Sequence, residues 1–342
     1  MIFMRINLNK KSVSIFSIAA ASALALSACS PATNTGADDA AAADAAVKVS
    51  ASFYPVAWLT EQIGGSTVAV TPVTPDGVEP HEFELAPADV DALSKADLVV
   101  YVNGFQPSLD DAVATVSGPV VLDLADQVDL EEAAEGAAHD HHHGNEPAEE
   151  HEGEHAHEHE GEHADGHSHG DLGLDPHFWL DPVRMKAAAA GIKEALSEAD
   201  KAHAAVFEKN YGMLIDQLDN LDRDFAQGLE QCKLDTFVTS HSAFGYLAER
   251  YHLTQASISG IDPESEPSPA DLAAVKKVLA ETGTTTIFTE ELVSPKTAEA
   301  VAAEAGATTA MLSPMESKPE AGNYIDGMKA NLEALRTALQ CK

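Results

Sequence analysis

Cations are scarce in this chain. Only 20 of its 342 residues are Lys or Arg, against 56 Asp or Glu, which gives a formal charge of −36. Tracking a phosphate backbone takes clustered Lys and Arg, so nucleic acid is excluded as a partner. Electrostatic docking onto anionic lipid is disfavoured for the same reason. Beyond the N-terminus no segment reaches the ~18 apolar residues of a membrane-spanning helix. Cysteine occurs three times, and neither Cys232 nor Cys341 has a close His or Cys neighbour that would suggest a Cys-based metal site. Hydrophobic residues, by contrast, make up 44% of the chain. At this length two domains are the natural expectation, and that fraction can fill two cores. The chain also holds 16 His, and an acidic, His-rich surface attracts cations.

The N-terminus reads as an export signal. Arg5, Lys10 and Lys11 precede an apolar stretch of 14 residues, 13–26, and small residues follow. The stretch is too short for a permanent span. It ends Leu26-Ser27-Ala28-Cys29, which resembles a bacterial lipobox. Cleavage there would leave Cys29 first, carrying a diacylglyceryl group, and two acyl chains hold a protein at a membrane far better than one. The alternative is an ordinary signal with a chance Cys. Residues 1–28 are thus a lipoprotein signal peptide, and 29–46, rich in Ala, Asp and Thr, a flexible tether. In an exported protein the remaining pair, Cys232 and Cys341, is a candidate disulfide, the alternative being two buried thiols.

From Val47 the chain alternates β-rich runs with helical patterns, the signature of parallel α/β units. The first half offers strands at 47–53, 67–73, 97–103 and 119–124, with helices near 55–63, 87–95 and 107–115. The second offers strands at 234–240, 253–259, 284–290 and 308–313, with helices at 242–250, 269–281, 295–305 and 322–340. The divisions are a first lobe at 47–182, a helical linker at 183–231 and a second lobe at 232–342. Within the linker, Val206, Phe207, Met213, Leu214, Leu218, Leu221 and Phe225 recur at 3–4 spacing. This predicts a helix over about 200–230, roughly 45 Å long, crossing between lobes as a strut. The alternative is a helical hairpin on the surface of one domain.

Residues 139–171 hold eleven of the histidines: His139, His141, His142, His143, His151, His155, His157, His159, His163, His167 and His169. Eleven Asp and Glu are interleaved, with no Lys, Arg or aromatic residue, so disorder is expected. Imidazoles and carboxylates at this spacing chelate Zn²⁺, Cu²⁺ or Ni²⁺, here as several weak, flexible sites. Such binding fades below about pH 6 as imidazole protonates.

Five histidines lie elsewhere. His81 and His241 each follow a predicted strand, one in each half, where ligands bind in open α/β sheets. His177 just precedes the linker, and Glu316 follows the last strand. Three imidazoles and a carboxylate satisfy Zn²⁺ tetrahedrally. A filled shell leaves no position for a reactive water, so the site reads as capture and release, not as an enzyme. His203 and His252 read as surface or packing residues.

Five stretches carry a resemblance: Pro80-His81-Glu82-Phe83-Glu84; Asn103-Gly104-Phe105 with Leu109-Asp110; Asp175-Pro176-His177-Phe178-Trp179-Leu180-Asp181-Pro182; Thr239-Ser240-His241-Ser242-Ala243-Phe244-Gly245-Tyr246; and Leu312-Ser313-Pro314-Met315-Glu316. In order and spacing the chain resembles the zinc/manganese solute-binding lipoproteins of ABC transporters (cluster A-I). The resemblance implies two (β/α)4 lobes joined by a long rigid backbone helix, with metal in the inter-lobe cleft. It carries the ligands onto His81, His177, His241 and Glu316; water takes the fourth place in some zinc members. His at the third position and a His-rich loop mark the zinc subtype. The implied activity is capture of one tight Zn²⁺, with further weak ions in the loop, by a lipid-anchored monomer outside the cell membrane. Delivery to a permease and its partner ATPase follows, with small lobe motions and local loop ordering instead of wide hinge closure. The alternatives are a surface zinc buffer or chaperone, and a manganese-binding member. Asp175, Asp181 and Glu82 are the candidates for orienting the imidazoles.

Overall fold

The computed structural model describes residues 46–133 and 173–342. The expected signal peptide, Cys29, nearly all of the tether and the whole His-rich segment lie outside them. The first sheet contains β1 (Val47–Ala51), β2 (Val68–Pro72), β3 (Leu98–Tyr101) and β4 (Val120–Asp123), in the order β2-β1-β3-β4. The second contains β5 (Thr236–Thr239), β6 (Thr254–Ser257), β7 (Thr286–Thr289) and β8 (Thr308–Met311), in the order β6-β5-β7-β8. All pairings are parallel. The central strands β3 and β5 are buried at every position, as expected where helices cover both faces of a parallel sheet.

The helices of the first sheet are α1 (Tyr54–Gly64), α2 (Pro87–Leu93) and α3 (Pro107–Thr115). Then come α4 (Pro182–Ala199) and α5 (Ala204–Leu229). With the second sheet go α6 (Gly245–Arg250), α7 (Pro269–Thr282), α8 (Lys296–Ala305) and α9 (Tyr324–Ala338). Pro stands in the first turn of α1, α2, α3, α4 and α7, where its fixed φ suits the helix and its missing N–H costs nothing. Reciprocal capping by Ser268 with Asp271, and by Asn323 with Asp326, starts α7 and α9. Among the described residues, no helix is long and apolar enough to cross a membrane.

The linker folds as two helices, and the long one lies within a few residues of the expected 200–230. Asp200 accepts hydrogen bonds from the amides of Ala202 and His203, and that turn separates α4 from α5. The two pack against each other, and α5, 26 residues or about 39 Å, also packs on α1 of the first lobe and α9 of the second. Its buried stripe is Phe207, Leu214, Leu218, Leu221, Phe225 and Leu229, whereas Val206 and Met213 face outward. One continuous core runs through both lobes by way of this helix. The Cys232 and Cys341 sulfurs, just beyond α5 and α9, lie at bonding distance, 1.92 Å.

Candidate metal centre

Each donor sits at the end of an element that fixes it. His81 is in the loop after β2, His241 follows β5 by two residues, and Glu316 lies in the loop between β8 and α9. His177 immediately precedes a 3-10 turn, Phe178–Leu180, that leads to Asp181, the N-cap of α4. These positions cluster at the carboxyl ends of the two sheets, where β1 and β3, and β5 and β7, mark the reversals of strand order.

The four side chains converge. His177 Nε2 is 3.3 Å from His81 Nε2 and 3.4 Å from His241 Nε2. Glu316 Oε1 lies 3.4 Å from His81 Nε2, 3.5 Å from His177 Nε2 and 3.6 Å from His241 Nε2. All four donor atoms fall within 4.8 Å of one another. A tetrahedron with metal–ligand bonds of ~2.05 Å has edges of about 3.3–3.4 Å, so five of the six spacings are close to those a four-coordinate zinc requires. Hydrogen bonding alone would not draw three ring nitrogens toward one carboxylate oxygen at the same spacing.

The surroundings fix which nitrogen faces inward. Asp175 Oδ1 stands 2.7 Å from His177 Nδ1 and also accepts the His177 amide. Glu290, at the end of β7, stands 2.5 Å from His241 Nδ1 through Oε2, and its Oε1 accepts the His241 amide. A carboxylate on Nδ1 keeps the proton there and leaves the Nε2 lone pair free for a cation. Phe105 lies edge-on to His81, with ring centres 4.6 Å apart, and Trp179 packs 5.0 Å from His177. This apolar wall keeps water away and strengthens electrostatics inside.

Charge and proton are distributed accordingly. Burial pushes the His241 imidazolium down, but the Glu290 charge and hydrogen bond, with Glu316, outweigh it and carry its pKa to about 10. For His177 burial likewise acts downward, and Asp175 with Glu316 raises it overall. Burial acts upward on the Glu316 carboxyl, and hydrogen bonds from the three imidazoles hold it well below the usual range. Without a cation the cleft therefore retains protons that a metal must displace.

The Glu316 loop is held from several sides. Trp179 Nε1 donates to Pro314 O at 2.7 Å, and Asn331 on α9 bonds both the amide and the carbonyl of Ser313. Met315 is buried with φ 58°, a conformation few side chains adopt, and it directly precedes the donor.

Of the residues singled out by sequence, the structure brings His81, His177, His241 and Glu316 together and leaves His203 and His252 elsewhere. His203 bonds Asp200 at the start of α5, and His252 follows α6. Among the candidates for orienting the imidazoles, only Asp175 does so. Asp181 caps α4 and pairs with Arg250 at 3.3 Å, and Glu82 is exposed. Glu290 escaped the sequence reading. Its signal was an acidic residue closing strand TTTIFTE, beside the strand that His241 follows.

Fold and site together define a bilobal α/β binding protein whose cleft presents four donors arranged for one cation. Residues 49–338 match the family described as "Zinc-uptake complex component A periplasmic" (ZnuA), and the chain belongs to that family. It is 36% identical over 300 residues to the zinc-binding protein AdcA of Streptococcus pyogenes serotype M3, an alignment covering 86% of this chain and 56% of that protein. The chain thus spans little more than half the length of that relative. It is 34% identical to the high-affinity zinc uptake system protein ZnuA of Bacillus subtilis, covering 85% of this chain and 87% of the relative. The structure of the laminin-binding protein Lmb of Streptococcus agalactiae, described as bifunctional with adhesin and metal transporting activity, superposes with a TM-score of 0.71. That pair is 30% identical, covering 86% of this chain and 99% of Lmb.

Proposed function

We propose that the chain captures Zn²⁺ outside the cytoplasm and delivers it to the permease of an ABC importer, whose ATPase drives uptake. The observation that carries this is the set of 3.3–3.6 Å spacings among His81, His177, His241 and Glu316. Three nitrogen donors favour zinc over manganese. Membership of a zinc-uptake family supports the same cargo. The charge count, −36, suits a protein that attracts cations. Cys29 carries the lipid anchor, Cys232 and Cys341 form a disulfide in the exported protein, and residues 139–171 gather further zinc weakly.

Hydrolytic signatures do occur by spelling. His151-Glu152-Gly153-Glu154-His155 and His159-Glu160-Gly161-Glu162-His163 read H-E-x-x-H, and Gly166-His167-Ser168-His169-Gly170 reads G-x-S-x-G. All three fall in the repetitive His-rich segment, whose sequence lacks the apolar periodicity of a zinc-peptidase helix and the strand that should precede a nucleophile elbow. Chance spelling in a biased composition accounts for them, and the cleft favours binding over turnover.

Calorimetry with zinc on residues 30–342, on a form without 139–170 and on His241→Ala tests the proposal. One tight zinc should remain without the segment and be nearly lost in H241A. Loss of all tight binding on deleting the segment would refute the cleft assignment. A manganese preference would overturn the cargo while leaving the fold intact.

A further inference from the structure

Three of the four donors are locked. His177 and His241 are fully buried with carboxylates on their outer nitrogens, and the Glu316 loop is pinned by Trp179 and Asn331. His81 differs. Its side chain is the most exposed of the set at 8%, and it rides on the loop 73–86. That loop is held to the first lobe by Gln106, whose buried Nε2 donates to Thr74 Oγ1 at 2.7 Å and to Pro80 O at 3.1 Å. Glu79 accepts the amides of His81 and Glu82 and so shapes the turn. Across the cleft the loop is tied at one point, where Gly77 N donates to Ser317 Oγ at 2.6 Å. Among the described residues this is the only hydrogen bond from the loop to the second lobe besides the His81–Glu316 contact. Gly77 has φ +79°, open to glycine at little cost, and the turn it makes aims that N–H over the cleft. Ser317 is buried and adjoins Glu316.

We infer that Ser317 is a positioning residue for cation retention, its hydroxyl latching the His81 loop over the bound ion. The inference rests on the zinc reading above. A cation leaves only if a donor moves, and the His81 loop is the part least bound to the core. Swinging it out breaks the Gly77–Ser317 bond along with the His81 contact. Losing a neutral hydrogen bond of ordinary strength speeds that step by about 2–10-fold. Entry proceeds from the open loop, in which this bond is already broken, so the change acts on release.

Stopped-flow release of zinc from the full chain into excess chelator tests this, with Ser317→Ala, His81→Ala and the double variant. S317A should release zinc about 2–10-fold faster than wild type, with unchanged association rate and unchanged apo melting temperature. In H81A the added S317A change should have no effect on release, because the latched loop no longer carries a donor. Wild-type release by S317A, or an equal acceleration in the H81A background, would overturn the latch. A wild-type chain that bound no zinc would overturn the functional reading beneath it.

Discussion

Replacing Glu290 with Gln probes the proton economy of the cleft. The change keeps size and shape but removes a charge and one of two acceptors. Glu290 uses both oxygens, one on His241 Nδ1 at 2.5 Å and one on the His241 amide at 3.1 Å. Gln can serve only one of these donors. If its NH2 turns toward the ring, the proton moves to Nε2 and the ligand is blocked. Loss of such an orienting partner typically costs 10–100-fold in metal affinity, about 1.4–2.7 kcal/mol. A second effect opposes the first. In the wild type His241 titrates near 10, so at pH 7 zinc must displace a proton held some three units above ambient, on the order of 4 kcal/mol. Without the Glu290 charge that proton is held less tightly and competes less. The affinity loss in E290Q is therefore largest near pH 9–10 and shrinks toward pH 7. Chelator competition across this range, with calorimetry in buffers of different ionisation enthalpy, reads both effects. The expected result is about one fewer proton released at pH 7–8, together with a flatter pH slope. An unchanged slope with unchanged proton release would refute the role given to Glu290.

The same shift bears on stability. His241 binds a proton more tightly folded, near 10, than unfolded, near 6.5, so the native state holds the extra proton between those values. The stabilisation is complete below pH 6.5 and is lost as pH rises through 10, so the apo melting temperature should fall from pH 7 to 10. Flat melting over that range would contradict the pairing with Glu290. Replacing Cys232 and Cys341 by Ser opens a link across 109 positions, worth about 4–5 kcal/mol in the chain-entropy model before strain. Urea unfolding should shift to a markedly lower midpoint while zinc stoichiometry stays at one tight ion; an unshifted midpoint would show the bridge idle. Tyr246→Phe removes a hydroxyl that donates to Asp175 O at 2.7 Å and accepts the Glu131 amide at 2.8 Å. It should cost about 1–3 kcal/mol of stability and weaken zinc binding severalfold through His177, and calorimetry showing wild-type affinity would contradict that path.

Much of the fold was legible because parallel α/β units announce themselves locally. Runs such as DLVVYVN are β-branched and flanked by polar turns, and Pro55, Pro87, Pro107 and Pro269 mark helix starts. The site was legible because strand ends are where loops converge, and His81 and His241 stood there. The break before α5 was legible only as the start of its apolar stripe near 200, and its cause was hidden, since no Pro or Gly marks it and a single Asp200 side chain makes the turn. The outward placement of Val206 and Met213 was hidden too. Each adjoins a buried residue, Phe207 or Leu214, and one position is a 100° rotation that a 3–4 spacing count does not resolve. Glu290 depends on β7 lying beside β5, a long-range pairing that local pattern does not encode.

Where the cleft can give way follows from how the lobes are joined. The indole of Trp179, next to His177, donates to Pro314 in the second lobe, while Tyr324 of α9 donates back to the Trp179 carbonyl and stacks on Trp58 of α1. Tyr246, on the helix after His241, bonds the carbonyl of Asp175, the residue that orients His177. With α5 packed on both lobes, a wide rotation would have to break these contacts and open a continuous core, at a cost far above that of releasing one loop. Motion should therefore concentrate in the segment bearing His81, whose ties across the cleft among the described residues are the donor contact and one bond to Ser317. A rigid frame with one yielding donor would let the proposed zinc site hold its ion tightly and still part with it without separating the lobes.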